Sequence, residues 1–166
     1  MKRIAAILIT VLALSGCGIY SFSGTSIQPD VNSITIGFFE YRAARVNPSL
    51  ANDMTEELKN KFRRLTRLEQ LDEDGDLEIT GAITGYDVAA SAITANEMAA
   101  QNRLTVSVSV NFTNRKYPED NFEKKSFSAY ADYDSSNSLD AVESSLCAEI
   151  IEKIIEDIFN ATVAQW

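Results

Sequence analysis

Apolar and polar residues alternate along three segments of the chain, which predicts three β-strands. In the clearest, "RLTVSVSVNFTNR" (103–115), every second residue from Leu104 to Phe112 is apolar, and polar uncharged residues lie between them. Alternation of period two is typical of a strand with one buried face. The segments "DLEITGAITGYDV" (76–88) and "FEKKSFSAYADY" (122–133) show the same pattern. We expect the three strands to form an antiparallel meander.

A fourth strand is predicted earlier, in "SITIGFFE" (33–40), where Ile34, Ile36 and Phe38 would share one buried face. The alanine-rich segment 89–102 contains neither glycine nor proline, so it does not favour a tight turn. We expect it to form either a long hairpin tip or a short helical excursion.

Two segments have apolar residues every three or four positions, which predicts two amphipathic helices. The first covers 47–68, with Pro48 and Ser49 at its start and basic residues near its end, as the helix dipole favours. The second runs from Ser138 to about Asn160, with Asn137 or Ser138 as its cap. The predicted apolar stripes comprise Leu50, Met54, Leu58, Phe62 and Leu65 in the first helix and Leu139, Val142, Leu146, Ile150, Ile154 and Ile158 in the second.

These elements predict an α+β fold, a two-layer sandwich with the order β-α-β-β-β-α. Two helices on one face of a four-stranded mixed sheet would bury every apolar stripe. The helical connection between the first two strands permits a parallel pair, which should then be right-handed.

The segment 76–88 and the turn before it both contain glycine, and each allows a further prediction. Gly81 and Gly85 indicate a bend or a close neighbour within that strand. The preceding "DEDGD" (72–76) lacks the glycine and glutamate spacing of a calcium loop, so it is interpreted as an acidic turn.

The first sixteen residues have the three parts of an export signal. Lys2 and Arg3 are followed by an apolar run and then by small residues. The apolar run is shorter than the ~20 residues that span a membrane. Leu14 to Cys17 match the bacterial lipobox, which implies cleavage before Cys17, a diacylglycerol on its sulfur and an N-acyl chain on its amine. More than one acyl chain makes membrane attachment stable.

The lipobox divides the chain into a signal peptide (1–16), a lipidated tether (17–32) and one α/β sandwich domain (33–166). Gly18 follows the cysteine in place of the aspartate that marks retention at the inner membrane in one group of bacteria. We therefore expect attachment to the outer membrane, with the domain on the periplasmic side.

Composition removes several classes of function. The mature chain has 13 basic and 24 acidic residues, a net charge of −11, which argues against nucleic-acid binding. The chain contains no histidine, the usual general base and commonest metal ligand, so we expect no catalytic residue, metal or cofactor. Cys147 lies on the apolar side of the second helix and is interpreted as a small core residue.

Several pieces in order resemble the outer-membrane lipopolysaccharide-assembly lipoproteins, the LptE family. They are "GCGIYSFSG" after the lipid site, "ITIGFFE" followed by the helix "LANDMTEELKNKF", "DLEITGAITGY", "RLTVSVSVNFTN" and a final helix near Trp166. The resemblance implies a lipoprotein that plugs the LptD β-barrel, supports its assembly and helps lipopolysaccharide reach the outer leaflet. It implies no covalent chemistry.

Contact with an anionic glycolipid would require local positive charge on this acidic protein. Arg115 and Lys116 at the end of one strand, and Lys124 and Lys125 at the start of the next, are the candidates; solvated turn charges are the alternative. Two other functions stay open: a lipoprotein that holds a lipid or other apolar ligand between sheet and helices, and, least favoured, a cell-envelope enzyme.

Overall fold

A mixed sheet with two helices packed on one face forms the computed structural model, which describes residues 27–92 and 101–164. This confirms the predicted α+β class. The strands are β1 (Ser33–Ile36), β2 (Glu40–Tyr41), β3 (Glu69–Gln70), β4 (Leu77–Ala92), β5 (Gln101–Asn114) and β6 (Phe122–Asp134). The helices are α1 (Leu50–Leu65) and α2 (Leu139–Val163), and a short 3-10 turn covers Pro118–Asp120.

The strand order is β3-β1-β4-β5-β6, and β2 also pairs with β4. The first strand is parallel to β4, as expected for strands joined through a helix. Strands β4, β5 and β6 form the predicted antiparallel meander. Residues 93–100, which join β4 to β5, lie outside the described residues, so the choice between hairpin tip and helical excursion stays open.

The sheet has six strands rather than the predicted four, because two strands of two residues each were too short to show alternation. One of them, β2, arises where a bulge interrupts the first predicted strand. Ile36 pairs with Ile79 and Glu40 with Ala82, so three residues of the edge segment lie opposite two residues of β4.

This bulge reverses the predicted orientation of two aromatic residues. Phe38 was predicted to be buried and is 63% exposed, whereas Phe39 is fully buried. The N–H of Phe39 donates to Thr55 Oγ1 of α1 at 3.0 Å, and the hydroxyl of Thr55 donates to the Ala51 carbonyl. The bulge therefore joins the sheet edge to α1.

As predicted, one glycine of β4 lies at a close approach, Gly81, and the other lies at an irregularity, Gly85. A Cβ on Gly81 would lie 2.5 Å from the Phe39 ring. The register of β4 against β5 shifts between Ile83 and Gly85. After this shift the inward positions change phase, so Tyr86 is buried.

The inward faces of β5 and β6 follow the predicted alternation without a break in their central parts, and the helices cover them. Leu104, Val106, Val108 and Val110 of β5 have no exposed surface. The inward residues of β6 are Phe127, Ala129, Ala131 and Tyr133.

The two helices run in the same direction, with Asn47 beside Cys147 toward one end and Phe62 beside Phe159 toward the other. The rings of Phe62 and Phe159 meet edge to face with centroids 5.1 Å apart. Beside them Lys61 forms an ion pair with Glu156. Leu65, predicted to lie in the apolar stripe, is 47% exposed because it is the last residue of α1.

Residues at the start of the described structure pack onto the domain, although they were assigned to the tether. Val31 is fully buried, and Gln28 Nε2 donates to Asp120 Oδ2 at 3.1 Å. Neither α1 nor α2, the helices of the described ranges, is long and apolar enough to cross a membrane.

Candidate functional site

Of the predicted site residues, Cys17 lies outside the described residues, so its lipidation stays a prediction. The four basic candidates are described. They lie at the end of the sheet where β4 and β6 begin and β5 ends, because Leu77 pairs with Asn114 and Phe112 with Phe122.

Arg115 is held by two carboxylates of the neighbouring strand and turn. Its guanidinium donates to Asp74 Oδ1 at 2.8 Å and to Glu78 Oε2 at 3.1 Å. These carboxylates, Asp74 first, raise the pKa of Arg115. The backbone N–H of Arg115 also donates to the Asp76 carbonyl. Arg115 therefore closes the predicted acidic turn against β5.

Lys116 is likewise engaged within the domain. Its Nζ lies 3.2 Å from Asp76 Oδ1 and also donates to the Asp30 carbonyl. The carboxylate of Asp76 accepts the backbone N–H groups of Asn32 at 2.8 Å and Ser33 at 3.3 Å. The Asn32 N–H, and then Lys116, lower the pKa of Asp76.

Lys124 and Lys125 are more available to an external anion. Both are exposed, and neither has a carboxylate within 4 Å among the described residues. Lys124 has a φ of 50° at an irregularity of β6, where its N–H donates to Asn111 Oδ1 at 2.8 Å. Lys125 Nζ lies 5.0 Å from the centroid of the Phe122 ring. The irregularity thus presents two adjacent cations at the sheet edge.

The centre of the sheet face opposite the helices is polar and carries no charged side chain, and we call this centre the outer sheet face. Its side chains bond to one another: Ser107 Oγ lies 3.0 Å from Ser128 Oγ, and Asn111 Nδ2 donates to Thr80 Oγ1 at 3.4 Å. The outer sheet face comprises Thr80, Thr84, Thr105, Ser107, Ser109, Asn111, Ser126 and Ser128.

Charged side chains lie around the edge of this face: Glu78 and Asp87 on β4, and Arg103 with Asp132 on β5 and β6. Arg103 forms two hydrogen bonds with the Asp132 carboxylate, at 2.7 and 2.8 Å. Its guanidinium also lies 3.6 Å from the centroid of the Tyr130 ring. The positive charge is therefore paired, and the centre of the face remains hydroxyl-rich.

A polar cluster beneath the helices was not predicted from the sequence. The hydroxyl of Tyr86 donates to Glu143 Oε1, and Asn47 Nδ2 lies 3.7 Å from Cys147 Sγ. Burial and Glu143 raise the pKa of Tyr86, and burial raises the pKa of the Cys147 thiol. A protonated buried thiol is a poor nucleophile, so Cys147 acts as a core residue. The phase change in β4, which turns Tyr86 inward, has no signal in the hydrophobic pattern.

A groove of about 850 Å³ lies between α1 and α2, and we call it the inter-helix groove. Half of its lining residues are charged, whereas the space between sheet and helices is filled by side chains such as Met54, Ile79 and Ile150, which have no exposed surface. This packing gives no support to the binding of an apolar ligand between the layers.

Comparison with known proteins identifies the chain through a family model. The model for lipopolysaccharide-assembly protein LptE matches residues 31–162, which is nearly all of the described domain. No curated protein matches the chain by sequence.

Solved structures similar to this chain come from several bacteria. Hypothetical protein CT253 of Chlamydia trachomatis has a TM-score of 0.53 at 9% identity, covering 81% of this chain and 99% of its own. A homologue of the neuraminyllactose-binding hemagglutinin from Helicobacter pylori has a TM-score of 0.51 at 9% identity, covering 78% and 84%. A minor lipoprotein from Acinetobacter baumannii has a TM-score of 0.47 at 13% identity, covering 77% and 89%.

At 9% identity, the structures from Chlamydia trachomatis and Helicobacter pylori show a shared fold and nothing about function. The family is identified by the family model. That match covers the strands, α1, all but the last residue of α2 and the four basic candidates in one continuous range. The chain belongs to the LptE family of lipopolysaccharide-assembly proteins.

Proposed function

We propose that this protein is an outer-membrane lipoprotein that plugs an LptD-like β-barrel, supports the assembly of that barrel and assists lipopolysaccharide transport to the outer leaflet. Cys17 would carry the diacylglycerol and N-acyl chains, and the domain would lie on the periplasmic side. The role requires no covalent chemistry, and we assign no catalytic residue, metal or cofactor.

The observation that carries the proposal is the outer sheet face. The opposite face packs against α1 and α2, so the hydroxyl-rich face is available to a partner. Barrels that span the outer membrane have polar interiors. Short hydroxyl side chains on a sheet can approach such a wall closely, with little cost for desolvating charge.

Within this role, Lys124 and Lys125 are the stronger candidates for contact with the anionic part of lipopolysaccharide. Arg115 and Lys116 already pair with Asp74, Glu78 and Asp76, so an external anion would have to compete with these carboxylates. We assign Arg115 and Lys116 a secondary contribution through the net charge of this end of the sheet.

The test is affinity purification of the full chain from detergent-solubilised membranes, with wild type compared against Ser107→Glu/Ser128→Glu. The two carboxylates would place charge in the middle of the outer sheet face. We expect recovery of the barrel to fall at least tenfold. The control is Asn52→Glu/Ser145→Glu, which adds the same charge to exposed helix positions.

Equal recovery of the barrel with both variants would refute the outer sheet face as the contact surface. Recovery of no large barrel protein with the wild-type chain would refute the plug itself. Mass analysis of the purified chain tests the anchor, because an unmodified Cys17 would remove the proposed attachment.

A further inference from the structure

The inter-helix groove runs along both helices. Its lining extends from Asn47, before α1, to Arg64 and from Asp140 to Ile155 of α2. Small residues of this lining, Ser49, Ser144 and Ala148, leave space between the helices. The rings of Phe62 and Phe159, which meet edge to face, join the two helices.

The floor of the groove is apolar and has a helical spacing. Cys147, Ile151 and Ile155 are buried beneath it, and Ala148 is exposed beside them. Residues four apart on a helix form a ridge, against which another helix can pack. The floor is therefore shaped for a third helix lying along α1 and α2.

The walls carry an excess of negative charge. Six carboxylates and two cations line the groove: Asp53, Glu56, Glu57, Asp140, Glu143 and Glu152 against Lys61 and Arg64. Of the two cations, Lys61 is paired with Glu156.

Part of this acidity has a local explanation, and part does not. Asp53 and Asp140 lie in the first turns of their helices, where the dipole favours negative charge. Glu57 and Glu152 lie beyond the first turns, and neither forms an ion pair within residues 27–92 and 101–164. These two carboxylates are left for an external cation.

We propose that the inter-helix groove binds a short cationic helix of a partner protein, with its small apolar residues on the floor and its Lys or Arg side chains against the acidic walls. Such an occupant matches both the apolar floor and the charge of the walls. This recognition of an amphipathic helix by a groove is a recurring mode of peptide binding.

Segments of this chain that could enter the groove lack the positive charge that its acidic walls require. After the proposed cleavage before Cys17, the segments outside the described structure are residues 17–26, 93–100 and 165–166, and they contain neither lysine nor arginine. A second copy would carry the same strong negative charge as the first. A metal ion is also disfavoured, because the described side chains form no cluster of three or more metal-ligating residues.

The probe for the test is a 15-residue alanine-rich peptide with four lysines, beside the same peptide with four glutamates. Fluorescence anisotropy would measure binding to the full chain in detergent. We expect the lysine peptide to bind and the glutamate peptide not to bind. Binding should weaken as salt is raised, because wall charges and peptide charges are both exposed.

Two variants separate the groove from the general acidity of the protein. Glu57→Gln/Glu152→Gln should lower the affinity at least tenfold, whereas Glu73→Gln/Glu123→Gln, with the same change in net charge elsewhere, should lower it less than twofold. Ala148→Phe should fill the floor and abolish binding at constant charge. Ser145→Phe, on the exposed side of α2, is its control.

Equal losses from the two glutamate pairs, unchanged binding by Ala148→Phe, or absence of binding by the lysine peptide would each overturn the proposal. Thermal unfolding of every variant checks that the domain remains folded. A negative result would leave the barrel proposal intact, because the outer sheet face and the inter-helix groove lie on opposite layers.

Discussion

Gly81 lies directly against the ring of Phe39, and the contact leaves no room for a side chain. A Cβ at Gly81 would be 2.5 Å from Phe39 Cε1 and 2.9 Å from Cζ. Since Phe39 is fully buried, the ring has little freedom to move away. We expect Gly81→Ala to lower the free energy of unfolding by about 1–3 kcal/mol, the usual cost of overpacking a core.

Urea denaturation of the purified full chain would measure this loss. Gly37→Ala is the matched control, because its Cβ would lie 3.2 Å from the Thr80 methyl group and at an ordinary contact distance of 3.6 Å from the Ile79 carbonyl oxygen. If both variants lost the same stability, the packing of Gly81 on Phe39 would not be the cause.

The side chain of Asn47 is predicted to determine the start of α1. Its Oδ1 accepts the backbone N–H groups of Ser49 and Leu50, both at 3.2 Å. Asn47 is buried, so water does not readily replace it. We expect Asn47→Ala to cost about 1–2 kcal/mol in the free energy of unfolding, as for the loss of a helix cap.

The comparison for Asn47 is Ser49→Ala. The hydroxyl of Ser49 contacts Asn47 Oδ1 at 3.3 Å, but it accepts no backbone N–H of the helix in the described bonds. Thermal melting should therefore show a clearly smaller effect for Ser49→Ala. A larger effect from Ser49 would contradict the assignment of the cap to Asn47.

Asp76 should make the stability of the domain depend on pH in the acid range. Its pKa is lowered from 3.8 in the folded protein, first by the N–H of Asn32 and then by Lys116. A lowered folded-state pKa means that the stabilisation is present above the unfolded pKa and is lost as the pH falls through the folded pKa. We expect Asp76→Asn to cost about 1–2 kcal/mol at neutral pH, since its hydrogen bonds involve a charged group.

The difference between wild type and Asp76→Asn should shrink as the pH falls below 3.8. Urea denaturation at a series of pH values would follow it. Asp72→Asn, an exposed position at the start of the same turn, is the control and should follow the wild-type curve. A constant difference at every pH would show that the charge of Asp76 is not responsible.

Lys124→Gln/Lys125→Gln should weaken the binding of lipopolysaccharide without lowering stability. Both side chains are exposed and have no carboxylate partner in the described structure, so their charges are available to phosphate groups. Binding of the full chain to purified lipopolysaccharide should fall several-fold, most clearly at low salt. Lys59→Gln/Arg63→Gln removes the same charge from α1 and should change binding little; an equal effect would assign the interaction to net charge alone.

The main strands were predictable because their inward positions are occupied by apolar residues at every second place. In β5 the alternation from Leu104 to Phe112 agrees with burial at each position. The exchange of Phe38 and Phe39 was not predictable, because both are aromatic and only the bulge decides which one turns inward. Strands β2 and β3 exist through pairing with neighbours, which a two-residue pattern does not reveal.

The sequence predicted which basic residues lie near one another, but it did not predict the residues with which they pair. The sequence placed four cations near one end of the sheet. Only the pairing of Leu77 with Asn114 shows that Arg115 lies beside the acidic turn before β4. The role of Asn47 was missed for a similar reason. Ser49 has the expected position for a cap, but the loop before α1 brings the side-chain amide of Asn47 to the first N–H groups of the helix.

The order of strand pairing has a consequence for the time course of folding. Strands β4, β5 and β6 are joined by short connections, so the meander closes small loops and should form early. The β1 strand reaches β4 only after the whole of α1 has been accommodated, and this pairing should form late. If Cys17 carries the proposed lipid, the strand that lies closest to the anchor in sequence is therefore the last to join the sheet.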